Sequence, residues 1–118
     1  MRALDLTEAQ REQVRQLTEQ HRQQTRALVE RAHASGDAQQ QAMEAPAFNE
    51  QQVRAAAQAL AEVQTDLAVQ QARLRSDIYA LLTSEQQQRL QQMQAEREAR
   101  QTERRERMQQ RRQGQQSP

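Results

Sequence analysis

Apolar residues in this chain are spaced for helices. The clearest run is Val53, Leu60, Leu67, Leu74 and Leu81, one every seven residues, with Ala56, Val63 and Ile78 at or near the alternate positions. A seven-residue apolar repeat is the seam of a helix that packs lengthwise on another helix. It predicts a helix from Asn49 to Leu82, about 50 Å long at 1.5 Å per residue, with shorter helices folded back along it. Upstream, Val14, Leu17 and Leu28 lie on one stripe, with His21 and Gln24 filling it between them. That helix is expected to run from Thr7 to about Ala34 and to end at Ser35-Gly36-Asp37. The polar stretch from Ala38 to Glu44 reads as one or two further turns stopped by Pro46. A last helix starts at Thr83, carries Leu90 and Met93, and then turns polar, with Glu96–Arg100 and Glu103–Arg107 in the favourable i,i+4 order. No apolar residue follows Met108, so residues 1–108 are read as one helical domain and 109–118 as a disordered tail.

Helix starts are marked by capping boxes. Leu6-Thr7-x-x-Gln10 and Leu82-Thr83-x-x-Gln86 each set a Thr hydroxyl to accept from the backbone N–H three residues on, while the Gln side chain reaches back to the cap. Asn49-Glu50-Gln51-Gln52 is a third box, with Phe48 placed to staple onto Val53. A capping box by itself is common; two copies of the same Leu-Thr-x-x-Gln pattern 76 residues apart are not.

Composition makes the core thin. Only 35% of the 118 residues are apolar, the aromatics are Phe48 and Tyr79, and Gly and Pro number two each. Roughly two dozen large apolar side chains offset about 1–2 kcal/mol per residue of backbone ordering only with difficulty, which favours a homodimer over a lone protomer. Charge is nearly balanced at +1, which argues against a nucleic-acid partner, and the interspersed Glu residues of the Arg-rich C-terminal third argue the same way. All basic residues are Arg, a side chain suited to planar contacts with carboxylates. The absence of Cys rules out disulfides, thiol catalysis and thiolate metal sites. No apolar run is long enough for membrane insertion, and Met-Arg-Ala-Leu-Asp does not open a signal peptide, so export requires that such a segment was removed. With no Gly-rich phosphate loop and no sheltered set of Ser, His and acid, enzyme activity is not expected.

Two such motifs bracketing a long helix, the second within Ile78-Tyr79-x-Leu81-Leu82-Thr83-x-Glu85-Gln86, resemble the LTxxQ family of Spy and CpxP, periplasmic ATP-independent chaperones and envelope-stress regulators. The resemblance extends from Leu6 to about Met93. It implies an all-α, elongated, four-helix hairpin-like protomer that pairs antiparallel into a thin, curved, cradle-shaped dimer. It also implies a concave basic surface with scattered apolar side chains that holds unfolded or partly folded client proteins. Candidate contributors are Arg22, Arg26, Arg54, Arg73 and Arg75 with Leu28, Val29, Met43 and Phe48. The chain departs from the family in having Ser84 where Pro is common, in lacking prolines between the first two helices, and in having few Met residues.

Two alternatives come with the same resemblance. One is a metal sensor or resistance protein binding Zn or another divalent ion, for which the candidate ligands are His21, Glu30 and His33. On a continuous helix the two His residues are about 18 Å apart and cannot chelate together, so His33 with Glu30 or Asp37 supplies at most half a site, completed by a dimer partner. The other is a regulator that docks on the periplasmic domain of a sensor kinase and is released by misfolded clients. A plain coiled-coil scaffold fits the heptads but not the paired caps or the break at Pro46.

Overall fold

The structure is a computed structural model that describes residues 4–116, and over them every regular element is helical. Three helices follow one another: α1 (Glu8–Glu44), α2 (Glu50–Leu81) and α3 (Ser84–Gln116). They belong to two compact units. Residues 7–81, with α1 and α2, form one; residues 4–6 with 82–116, which include α3, form the other.

In the first unit α1 and α2 pack as an antiparallel hairpin joined by a five-residue connection around Pro46. The α2 seam follows the heptads: Val53, Leu60, Leu67, Leu74 and Leu81 are half-buried, and Val63 and Ile78 are buried outright. Its counterpart on α1 uses Val14, Leu17, His21, Thr25, Leu28 and Ala42. The fully buried seam position is Thr25, whereas Gln24 is exposed. Threonine is tolerated there because its hydroxyl donates to the His21 carbonyl at 2.8 Å, one turn back, so no buried polar group is left unpaired. Only Thr25, Ala42, Val63 and Ile78 are fully buried in this unit, which is the thin core that the composition requires.

The expected four-helix count is corrected to three. Ser35-Gly36-Asp37 does not end α1, which continues through it to Glu44. Gly36 lacks the positive φ of a helix-ending glycine, and Gly in a helix interior costs only about 1 kcal/mol against Ala, a penalty the Ala- and Gln-rich flanks outweigh. The actual stop is Pro46. The residue before a proline is pushed from the helical region, and the C-cap Ala45 is extended at φ −59°, ψ 137°.

The second unit clasps the segment before α1 to α3. Leu4 and Leu82 are its buried apolar residues, Leu4 at only 2% exposure. Asp5 takes a left-handed φ of 49°, a conformation Asp adopts more readily than most residues. Its carboxylate faces Arg89 Nη1 at 3.4 Å. Helix α3 reaches Gln116, well past Met108 where the sequence pattern places the end of order; Ser117 and Pro118 of the expected tail lie outside the described residues. Arg, Glu and Gln are all good helix formers, so the segment has intrinsic helical preference without an apolar face.

Candidate interaction surface

Both motif glutamines do more than cap. Gln10 Oε1 accepts from the Thr7 N–H at 3.0 Å, while Thr7 Oγ1 accepts from the Gln10 N–H at 3.1 Å. The Gln10 amide nitrogen then donates to the carbonyl of Leu81 at 3.2 Å, one of the carbonyls left open at the end of α2. At the second motif the same box forms between Thr83 and Gln86, at 2.9 and 3.2 Å, with Ser84 as the first helical residue in place of Pro. Gln86 Nε2 donates to the Leu4 carbonyl at 3.2 Å and reaches the Asp5 carbonyl at 3.5 Å. Each glutamine thus caps the start of a helix and pins a segment more than 70 residues away. The six motif residues are structural clasps. Asn49 makes the third cap, accepting from the Gln52 N–H at 3.1 Å.

The surfaces open to a partner are the two broad faces of the hairpin. On α1, Arg11, Arg15, Arg22, Arg26, Val29 and His33 recur at the three-, four- and seven-residue intervals of one helical stripe, and all are exposed. Arg22, Arg26 and Val29 line a shallow open depression with Glu19, Gln23, Thr25 and Glu30, and Val29 stays 42% exposed in it. Two of these arginines lie beside acids. Arg15 grips Glu12 with two hydrogen bonds, at 2.7 and 3.1 Å, and Arg22 sits 3.9 Å from Glu19. The Arg15 fork holds the Glu12 carboxyl below the usual glutamate range although the pair is exposed.

Arg73 lies elsewhere. It shares a second depression with Leu17, Gln20, His21, Gln24, Gln70, Leu74 and Asp77, so these flanks of α1 and α2 meet on one broad face. The Arg22–Arg26 flank of α1 lies across its seam, on the opposite broad face. Helical periodicity puts Arg75 on that opposite side with Gln64 and Gln71, whereas Glu62, Asp66 and Asp77 fall on the Arg73 side. One face of the hairpin therefore carries the arginine stripe of α1, bordered by Glu19 and Glu30, and the other carries Glu62, Asp66 and Asp77 with Arg73 among amide side chains. Arg54 is on the outer edge of α2, paired with Glu50 at 2.9 Å.

Of the apolar candidates, Leu28 is half-buried in the seam, and Met43 and Phe48 stand 67% and 82% exposed near the turn of the hairpin. Phe48 at that exposure does not close the expected staple onto Val53. Arg11 and Arg15 were not among the candidates, although their spacing to Arg22 and Arg26 within the expected Thr7–Ala34 helix already puts the four on one stripe. The metal candidates are also placed: His21 is half-buried in the Arg73 depression, and Glu30 and His33 are exposed neighbours one turn apart on α1. No group of three or more His, Asp or Glu side chains among the described residues could hold a metal ion, and no helix among them is long and apolar enough to cross a membrane.

Residues 1–94 match the family described as LTXXQ motif family protein. No curated protein and no solved structure matches the chain.

Proposed function

We propose that this chain, which belongs to the LTXXQ motif family, is an ATP-independent periplasmic chaperone that holds unfolded or partly folded client proteins loosely and suppresses their aggregation. The observation that carries the reading is the arginine-bearing face of the hairpin, where Arg11, Arg15, Arg22 and Arg26 form one exposed stripe and the last two share a depression with the half-exposed Val29, with Met43 and Phe48 bare near the turn. Such a face attracts acidic segments over a distance of about 10 Å at 0.1 M salt, the reach set by ionic screening. What it offers on contact is small. Full burial of a Val side chain is worth about 1.5–3 kcal/mol, and Val29 is already more than half covered, so a client gains roughly 1 kcal/mol there. Fast electrostatic capture with weak apolar holding lets a client leave, or rearrange while bound. No nucleotide and no chemical step are required.

The test is light scattering of a chemically unfolded acidic client, without ATP, with increasing amounts of the protein. Suppression near stoichiometric ratios that weakens with salt is expected, together with a several-fold loss in Arg22→Glu/Arg26→Glu. Arg73→Glu, on the opposite face, should suppress as well as the parent. Suppression that ignores both salt and the paired reversal would contradict the electrostatic mechanism, and no suppression at all would contradict the chaperone reading.

A further inference from the structure

Between Glu96 and Arg112 helix α3 carries seven arginines and four glutamates that alternate along the sequence. On the helix they separate. At about 100° per residue, every arginine falls within one arc of about 160° and every glutamate within the other. The arginine arc also continues a seam. Leu90, Arg97, Arg104 and Arg111 recur every seven residues, with Met93, Arg100 and Arg107 at the alternate positions. The family match ends at residue 94, where this seam changes from apolar to arginine. All described side chains from 94 to 115 are exposed, and none of these arginines is in an ion pair among the described residues.

A seven-residue repeat on a helix face calls for a helix as its partner, and an arginine repeat calls for an acidic one. The chain contains such a repeat. Glu30, Asp37 and Glu44 recur every seven residues along α1, all exposed, and span about 21 Å at 1.5 Å per residue, the same length as Arg97 to Arg111. Glu30 and Asp37 have no ion-pair partner among the described residues, and Glu44 accepts only from the Gln40 amide at 3.0 Å. We propose that the arginine seam of α3 docks on the Glu30–Asp37–Glu44 stripe of α1 in a second copy of this chain. Each copy offers one stripe of each sign, so each can both give and receive the contact. Exposed pairs are individually weak, which makes the association salt-sensitive. Glu30 also lines the Arg22–Arg26–Val29 depression, so the stripe borders the face proposed for clients, but the association is measured without a client and stands or falls separately from client binding.

Sedimentation velocity at about 20 mM and about 0.5 M salt, conditions of long and short screening length, reads the association directly. The parent chain should self-associate at low salt and dissociate at high salt. Arg97→Glu/Arg104→Glu/Arg111→Glu and, separately, Glu30→Arg/Asp37→Arg/Glu44→Arg should each associate at least roughly tenfold more weakly. Mixing the two variants should restore association, because each then meets its opposite charge on the other. Circular dichroism confirms that both variants keep the helices. A parent chain that stays monomeric at low salt, variants that associate like the parent, or a mixture of folded variants that fails to associate would each overturn the proposal.

Discussion

At position 10 a glutamate would satisfy the capping box as well as glutamine does, since only an oxygen is needed to accept from the Thr7 N–H. The donation to Leu81 is what requires an amide. Gln10→Glu should therefore keep the cap and still destabilise the fold, by about 1 kcal/mol, because a carboxylate oxygen then faces the carbonyl. Urea denaturation checks this against Gln13→Glu, an exposed change on the same helix that should be nearly neutral. The capping boxes were legible because both partners lie within four residues of each other. The reach to Leu81 and Leu4 was not, since nothing local encodes a contact across 71 or 82 positions. Charge has a local reading too. Arg15 lowers the Glu12 pKa, so what the pair adds is fully present above the ordinary glutamate range and disappears as pH falls through Glu12's own titration. In Arg15→Ala, carboxyl NMR should show the Glu12 midpoint moving up towards the usual glutamate value.

Among the elements, α2 was the most legible, because a long helix with one strict apolar repeat leaves no alternative period. The α1 break was misplaced because glycine has two meanings that sequence does not separate: a left-handed helix stop or a tolerated interior residue. Its backbone decides for the second. No atom other than its own helix backbone lies within 4 Å of where a Cβ at Gly36 would be, so Gly36→Ala should raise stability by about 0.5–1 kcal/mol, visible as a higher melting temperature. Had Gly36 been a left-handed stop, the same change would destabilise. Phe48 carries the opposite lesson: its spacing to Val53 fits a staple, yet the side chain is 82% exposed. Phe48→Ser should leave the melting temperature within a degree or two, as expected for a surface site, while reducing suppression of client aggregation. The far end of α3 was missed because apolar periodicity is silent where arginine occupies the seam.

For the whole molecule, near-neutral net charge conceals local patterns: an arginine stripe on one flank of α1, and arginine and glutamate arcs on α3. Composition alone reports only the cancellation. The candidate site was half legible for this reason. Arg22, Arg26 and Val29 could be picked from the sequence, but whether an α2 arginine such as Arg73 joins them depends on which flank of α2 meets which flank of α1, and that is fixed by the packing register. The central claim is that clients meet the arginine-bearing face. Backbone amide NMR during titration with an unfolded acidic client tests it most directly. Shifts should gather at Arg11, Arg15, Arg22, Arg26, Val29 and His33 and near Met43 and Phe48, and fade together with added salt. Shifts gathered instead around Glu62, Asp66, Arg73 and Asp77, or spread evenly over both faces, would contradict it.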